Sequence, residues 1–171
     1  MKIVLVGYMG SGKTTIGKIL SKELGIKFLD LDDYIEEKEG KTIKSIFSEN
    51  GEIYFRKSEF QYLNQLLDST DDFVLSTGGG TPCYGNSMER IVNVSPNVFY
   101  IKVSILELVN RLYGQKETRP LIKNIDSKEL PEFIGKHLFE RGFYYNLAHH
   151  RIIGDGKPPQ ELSEEIKQLL V

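Results

Sequence analysis

A glycine-rich loop that directly follows a short apolar run is the feature that most constrains this chain. Residues 3–6 are apolar and rich in β-branched side chains, and residues 7–14 (GYMGSGKT) come next. The loop matches the phosphate-binding P-loop pattern Gly-x4-Gly-Lys-Ser/Thr in full. Because residues 14–24 have the apolar periodicity of a helix, the loop connects a strand to a helix, as a P-loop does.

The residue types in this loop predict how it holds a nucleoside triphosphate. Backbone N–H groups of Gly10, Ser11 and Gly12 can surround a phosphate at the positive end of a helix. Lys13 would reach the β- and γ-phosphates, and the Thr14 hydroxyl would bind Mg²⁺. Thr15, in the first helical turn, is a further candidate nucleotide contact.

The rest of the chain predicts alternating strands and helices. The further predicted strands are residues 28–30, 73–76, 98–103 and 151–153. The further predicted helices are residues 33–39, 42–48 and 51–67, one opened by a capping box of Ser104 and Glu107, one from near Pro131 to about Ala148, and residues 160–170. This alternation is typical of a three-layer α/β sandwich around a parallel sheet of roughly five strands, in one domain spanning residues 1–171.

Composition excludes several classes of function. Lys plus Arg number 22 against 24 Asp plus Glu, so the formal charge of −2 argues against a general nucleic-acid binder. No apolar run approaches the roughly 20 residues that span a bilayer, so we expect no membrane segment. The single cysteine, Cys83, cannot form an internal disulfide, which fits a cytoplasmic protein.

Two carboxylates follow the second predicted strand. Asp30 and Asp32 lie where the carboxyl ends of parallel strands bind ligands, and strand alternation points both to one side. One could hold Mg²⁺ through water, and the other could accept a proton from an acceptor hydroxyl. The alternative is a solvated acidic turn in which Asp33 caps the next helix.

Arg56 and the glycine run Gly78-Gly79-Gly80 each allow two interpretations. Arg56 could bind an anionic substrate, or it could form a surface ion pair with Glu59 at i,i+3. Three successive glycines at the end of a strand indicate a close approach by a ligand or by backbone, although a plain turn has the same composition.

Two later arginines are also candidates. Arg119 lies in the polar, aperiodic segment 113–126, where a closing lid could bring it to a transferring phosphoryl group. Arg141 lies within a predicted helix and by itself suggests only a solvated face. His137, His149 and His150 show no metal-ligand partners in the sequence, the His149-His150 pair is expected at the surface, and Cys83 is expected to be structural.

The ordered set of these strings resembles shikimate kinase. The matches begin with residues 7–14 and continue with residues 28–32 (FLDLD), Gly51-Glu52 with Phe55-Arg56 and Glu59, Gly78-Gly79-Gly80, residues 119–121 (RPL) and Arg141 with Tyr144. They cover residues 7 to 144 in the order of the family. One departure is that residues 141–144 (RGFY) lack the proline that the family usually carries before the tyrosine.

The resemblance implies a fold of the nucleoside-monophosphate-kinase type, ATP and Mg²⁺ as partners, and shikimate as the phosphoryl acceptor. It also implies a substrate-binding segment near residues 31–62, a lid near residues 112–125, and a monomeric enzyme. The implied shikimate contacts are Asp32, Arg56, Gly78, Gly79, Gly80 and Arg141. Asp30 is the implied water-mediated Mg²⁺ group, Arg119 the implied lid arginine, and Arg111 the implied adenine-side arginine.

Physical chemistry agrees with these roles. Arginine pairs with a carboxylate in a bidentate fork, so Arg56 and Arg141 suit the carboxylate of shikimate, and Asp32 suits its hydroxyls. Two rival functions remain open from the sequence. One is another small-metabolite kinase of the same fold, such as a gluconate kinase, and the other is a non-catalytic nucleotide-binding module.

Overall fold

The computed structural model describes residues 1–171 and contains five β-strands and seven α-helices. The strands are β1 (Lys2–Val6), β2 (Lys27–Asp30), β3 (Phe73–Ser76), β4 (Asn97–Lys102) and β5 (His150–Ile153). The helices are α1 (Lys13–Leu24), α2 (Leu31–Glu39), α3 (Ile43–Asp68), α4 (Ser87–Val94), α5 (Ile105–Tyr113), α6 (Leu130–Tyr145) and α7 (Pro159–Gln168). Short 3₁₀ turns occur at Thr81–Cys83 and Lys116–Thr118.

The strands form one parallel sheet in the order β2-β3-β1-β4-β5. β1 is central, with Val4 beside Leu75 of β3 and Val98 of β4. Parallel strands end at the same edge of a sheet. The loop after β1, the glycine run after β3 and the carboxylates after β2 are therefore neighbours at that edge.

Helices cover both faces of this sheet. Every residue of β3 is buried, as are four of the five residues of β1, although side chains alternate between the two faces. This burial explains why both strands are continuous apolar runs rather than alternating patterns. Helices α1 and α7 pack against each other, and α1 also lies along β2 and β3. The resulting hydrophobic core contains 33 buried residues.

Of two predicted helix caps, one is wrong and the other forms in part. The side chain of Asp30, and not that of Asp33, caps α2 by accepting from the backbone N–H of Asp32 at 3.0 Å. Ser104 caps α5 as predicted by accepting from the N–H of Glu107 at 3.3 Å. The carboxylate of Glu107 turns instead to Arg111, so only half of the capping box forms.

The region between β2 and β4 holds one confirmed prediction and one omission. The predicted helices 42–48 and 51–67 are the two arms of α3, which are separated by non-helical backbone at Gly51, where φ is +83°. Helix α4 was not predicted at all. It has eight residues, and the sequence carries a start signal for it, since Asn86 is the N-cap residue and Glu89 lies in the first turn, although the Asn86 side chain makes no capping hydrogen bond.

Candidate active site

The loop between β1 and α1 has the backbone geometry of an anion cradle. Gly10 and Gly12 have φ angles of +79° and +96°, in the left-handed region that disfavours a side chain. The N–H of Ser11 donates to the carbonyl of Tyr8 at 3.2 Å and closes the turn. No side chain caps the start of α1, so its first N–H groups face the loop.

Lys13 is buried and folds back over this loop. Its ammonium group donates to the carbonyls of Gly7 at 2.8 Å and Tyr8 at 2.9 Å. Burial, and then the nearby charge of Arg119, lower the pKa of Lys13 to about 8. A phosphate in the loop would replace these carbonyls as the partner of the ammonium and favour its charged form.

Three oxygen groups meet beside the start of α1. The Thr14 hydroxyl donates to Oδ2 of Asp30 at 3.0 Å and lies 3.5 Å from Oγ of Ser76. Two hydroxyls and a carboxylate suit Mg²⁺, which prefers oxygen ligands and keeps several waters. The structure contains no group of three His, Cys, Asp or Glu side chains that could hold a metal by itself. Thr15, one residue further along α1, is exposed.

Each glycine of the run after β3 is approached by a different predicted acceptor residue. A Cβ atom at Gly78 would lie 3.3 Å from Oδ1 of Asp32, and one at Gly79 would lie 3.3 Å from Nη1 of Arg141. A Cβ atom at Gly80 would lie only 2.8 Å from Nη2 of Arg56. The glycines thus leave room for close side-chain approaches, which a plain turn would not need, and the approach is tightest at Gly80. They bring together three charged groups from three separate helices.

The Arg56–Glu59 pair exists but does not lie on the surface, which corrects one of the two interpretations of Arg56. Nη1 of Arg56 donates to Glu59 at 2.8 Å, and Glu59 is only 3% exposed. The other carboxylate oxygen of Glu59 accepts from the Thr81 hydroxyl at 2.7 Å. The Arg56 guanidinium also stacks on Tyr84 at 3.9 Å, while its buried Nε has no hydrogen-bond partner. A buried N–H donor without a hydrogen-bond partner in the protein can donate to a bound ligand.

Asp32 lies in the first turn of α2, so strand alternation does not orient it as the sequence argument assumed. Helix geometry nevertheless brings its carboxylate to the glycine run. Burial, and then the neighbouring charges of Asp30 and Glu59, raise the pKa of Asp32 to about 6. A carboxyl group with this pKa can gain and lose a proton close to neutral pH.

Arg141 points from α6 into the site and not into solvent. Its guanidinium lies 5.6 Å from the centre of the Tyr8 ring in the P-loop. One turn further along α6, the buried Tyr145 donates through its hydroxyl to the carbonyl of Gly79 at 2.5 Å. The missing proline before Tyr144 therefore does not displace Arg141 from the glycine run.

Arg111 and Arg119 differ in how many contacts hold their side chains. Arg111 is anchored by Glu107 at 2.9 Å, and its Nη1 donates to the carbonyls of Gly10 and Ser11 at 3.3 and 3.4 Å. Arg111 thus helps to hold the P-loop backbone in place. Arg119 is held only by Gln115, within its own segment, and its charge lowers the pKa of Lys13.

The cysteine and the histidines have structural surroundings. Burial raises the pKa of Cys83 to about 11, so its thiol stays protonated and unreactive at neutral pH. His149 is exposed as expected, but His150 is only partly exposed and stacks on Phe99. His137 forms a 2.8 Å hydrogen bond with the Tyr8 hydroxyl.

Comparison with known proteins identifies the family. The family model for shikimate kinase matches residues 9–171. The shikimate kinase of Flavobacterium psychrophilum is 48% identical over 169 residues, which are 99% of this chain and 98% of the relative. The chain belongs to the shikimate kinase family. The shikimate kinase of Flavobacterium johnsoniae is 47% identical over 169 residues, with the same coverage.

Solved structures give the same answer for the fold. A crystal structure of shikimate kinase from Bacteroides thetaiotaomicron has a TM-score of 0.89 and 34% identity, covering 99% of this chain and 96% of that chain. Shikimate kinase from Acinetobacter baumannii in complex with shikimate has a TM-score of 0.85 and 34% identity, covering 98% and 91%. The predicted nucleoside-monophosphate-kinase-like fold is confirmed.

Membership of the shikimate kinase family also confirms the predicted class of enzyme. The chain is a kinase of the shikimate kinase type, with ATP as phosphoryl donor, and no comparison supports a gluconate kinase or a regulatory module. None of its helices combines the length and apolarity needed to cross a bilayer.

Several residues of the site were not found from the sequence. Ser76, Thr81 and Tyr145 support Thr14, Glu59 and Gly79, but they belong to no motif that signals this chemistry. The sequence offered one hint of their roles, which is that Ser76 and Thr81 lie within two residues of the glycine run. Their roles depend on contacts between segments far apart in the chain.

Proposed function

We propose that this chain transfers the γ-phosphoryl group of ATP to the 3-hydroxyl of shikimate, with Mg²⁺ as the metal. The observation that carries the proposal is the convergence of Asp32, Arg141 and Arg56 on the three glycines beside the P-loop. Two arginines, with the Asp32 carboxylate beside them, match a ring that bears one carboxylate and several hydroxyls.

The acceptor carboxylate would lie between Arg56 and Arg141. Arg56 is held by Glu59 and Tyr84, and its buried Nε, 3.9 Å from Glu52, makes no hydrogen bond, so this donor is available to a ligand. Arg141 approaches Gly79, the glycine next to Gly80, which Arg56 approaches. Arginine binds carboxylates through paired N–H donors, which fixes the orientation of the ring as well as its charge.

Asp32 would act at the reacting end of the acceptor. The acceptor oxygen forms a bond to the γ-phosphorus, the bond from that phosphorus to the β,γ-bridging oxygen breaks, and the hydroxyl proton passes to Asp32. The raised pKa of Asp32, about 6, makes it a better proton acceptor than an ordinary aspartate.

Lys13 and Arg119 would neutralise charge on the phosphoryl group during transfer. Lys13 already points its ammonium into the P-loop. Phosphoryl transfer depends mostly on such positioning and electrostatics. Thr14 would hold Mg²⁺ directly and Asp30 would hold it through water. When bound, Mg²⁺ would supply positive charge that offsets the negative charge of the phosphates during transfer.

The remaining assignments belong to the same proposal. Residues 1–171 would act as one domain, with an acceptor-binding segment near residues 31–62 and a lid near residues 112–125. Gly10, Ser11, Gly12 and Thr15 would contact the nucleotide, and Arg111 would lie on its adenine side. We also expect a monomer in the cytoplasm that binds neither nucleic acid nor membranes.

The test is a direct assay of phosphoryl transfer with ATP and a panel of hydroxy acids. Product formation is followed by phosphorus NMR, with shikimate, quinate and gluconate as separate acceptors and a sample without acceptor. We expect one new phosphate monoester, formed with shikimate and located at its 3-position. Preferred turnover of gluconate would support the rival kinase, and ATP binding without transfer to any acceptor would support the non-catalytic module.

A further inference from the structure

Tyr8 occupies a position between the two halves of the site. Its backbone carbonyl accepts from the Lys13 ammonium at 2.9 Å, on the nucleotide side. Its ring faces the Arg141 guanidinium at 5.6 Å, on the acceptor side. The ring is 1% exposed, and its hydroxyl forms a 2.8 Å hydrogen bond with Nδ1 of His137.

His137, Arg141 and Tyr145 are spaced four residues apart on α6, so they share one face of that helix. His137 contacts the P-loop through Tyr8, one turn before Arg141. Tyr145 contacts the glycine run through the carbonyl of Gly79, one turn after Arg141. The helix is thus attached to both ligand-binding loops, on either side of its arginine.

The ionisation of both partners suits a stable hydrogen bond. Burial raises the pKa of Tyr8 to about 12, so the hydroxyl keeps its proton at neutral pH. Burial, and then the charge of Arg141, lower the pKa of His137, so its ring stays neutral. Phe133 packs edge-on against His137 at 4.5 Å and limits its rotation.

We propose that the hydrogen bond between Tyr8 and His137 positions Arg141 for the acceptor carboxylate. Tyr8 and His137 are positioning residues, since the only ligand contact in this arrangement is made by Arg141. The inference rests on the proposed function, because it assigns them to the carboxylate end of the same acceptor. Without the bond, the Tyr8 ring is no longer attached to this turn of α6. The part of the helix that carries Arg141 is then fixed only by the contact of Tyr145 with Gly79.

The test uses Tyr8→Phe, which removes one oxygen and leaves the buried ring, and His137→Leu, which removes the partner. We expect each variant to raise the KM for shikimate about three- to tenfold, the effect of one lost neutral hydrogen bond. The KM for ATP should stay within about twofold, since the backbone contacts of the P-loop are unchanged. His137→Asn, whose amide lies near the position of Nδ1, should recover most of the loss.

The decisive measurement repeats both substitutions in an Arg141→Ala background. If Tyr8 and His137 act through Arg141, neither should raise the shikimate KM further, because coupled residues are non-additive. A merely structural role would persist in that background and would also raise the ATP KM. The exposed His149→Leu is the matched control, and thermal denaturation checks the fold of each variant.

Three results would overturn the inference: an unchanged shikimate KM in both single variants, an equal increase in the Arg141→Ala background, or an equal increase for ATP. Each of these leaves the proposed function intact, provided that the wild type phosphorylates shikimate. A wild type without that activity would contradict the proposed function and this inference together.

Discussion

Arg56 is held in place by two side chains before any ligand arrives. Glu59 binds one nitrogen, Tyr84 stacks on the guanidinium, and Gly80 leaves room for Nη2. A charge-assisted hydrogen bond to a substrate carboxylate contributes about 1.5–3 kcal/mol. Arg56→Ala should therefore raise the shikimate KM roughly ten- to a hundredfold, because 1.4 kcal/mol is a factor of ten. Arg56→Lys should recover only part, since lysine keeps the charge but not the fork.

Steady-state kinetics with each substrate varied in turn measures this effect. The exposed Arg151→Ala is the control for loss of a positive charge. Isothermal titration of wild type with shikimate, and with an analogue whose carboxylate is an uncharged amide, gives a second check. Equal binding of both compounds, or weaker ATP binding in Arg56→Ala, would show that Arg56 does not hold the carboxylate.

Lys13 directs its ammonium group at the P-loop backbone, where it donates to the carbonyls of Gly7 and Tyr8. Lys13→Met keeps the aliphatic stem and removes the cation that faces the β- and γ-phosphates, so phosphoryl transfer should be abolished. Circular dichroism should match that of wild type. Lys18→Met, an exposed change on the same helix, should keep normal turnover. Near-normal turnover in Lys13→Met would contradict the phosphotransferase mechanism.

Asp32 predicts a pH dependence of catalysis. Its carboxylate must be ionised to accept the hydroxyl proton, and its pKa is raised to about 6. At saturating ATP, kcat/KM for shikimate should therefore fall about tenfold per pH unit below about pH 6. Asp32→Asn should have a low kcat without this acidic fall. If the fall survives in Asp32→Asn, another group is responsible for it.

At the scale of elements, the segment between α5 and α6 has little regular structure. It contains one 3₁₀ turn, and Ile122 is its fully buried anchor. Arg119 makes a side-chain hydrogen bond only to Gln115 in the same segment, so the two can move together. Such a segment can close over a ligand at little cost in broken contacts with the rest of the fold.

We expect Arg119→Ala to lower kcat more than it weakens ATP binding, because the arginine acts on the transferring group. Hydrogen exchange of residues 112–125 should slow when nucleotide and shikimate are both bound, because closure excludes water. Exchange at residues of β1 serves as the internal reference. Equally slow exchange in the lid segment with and without ligands would mean that it does not close.

The elements also show what local sequence could predict. All five strands and the P-loop helix were predicted from apolar runs and from Gly7 and Gly25, which follow β1 and α1. Helix α4 was missed although Asn86 and Glu89 mark its start, because eight residues give only about two turns of apolar periodicity. The capping of α2 by Asp30 was missed because α2 begins at Leu31, directly after β2, two residues before the predicted start at Asp33.

For the whole molecule, the acceptor site has a cost in stability that can be measured. The pKa of Asp32 rises from an ordinary value of 3.8 to about 6, so the folded protein retains a proton that the unfolded chain releases. Stability therefore falls as pH rises between these values, and the loss is complete above about pH 6. The difference corresponds to at most about 3 kcal/mol, reduced to about 2 kcal/mol because Asp32 is partly exposed.

Asp32→Asn removes this buried charge, so it should raise Tm at pH 8 by about 4–8 °C while lowering kcat. At pH 4 the difference should shrink to about 1–2 °C, because the carboxyl is mostly protonated in the folded wild type. Calorimetry at both pH values gives the comparison, with Asp33→Asn as the exposed control. A lower Tm at pH 8 would show that Asp32 stabilises the fold.

The sequence by itself determined the nucleotide half of this protein. The P-loop is continuous in the chain, and its glycines, Lys13 and Thr14 act through local backbone geometry, so a string of eight residues carries the information. The parallel sheet likewise follows from local periodicity. The family resemblance supplied the proposed acceptor residues, whose individual motifs were ambiguous.

Only the tertiary structure decided how the acceptor half is built. Arg56, Arg141 and Asp32 come from α3, α6 and α2, and each could have been a surface charge. They meet because the sheet order places β3 between β1 and β2, so the glycine run lies beside the P-loop. Because Glu59 is buried, its i,i+3 ion pair with Arg56 holds the guanidinium in one place. Burial also raises the pKa of Asp32. These effects depend on contacts between distant segments, which no local pattern encodes.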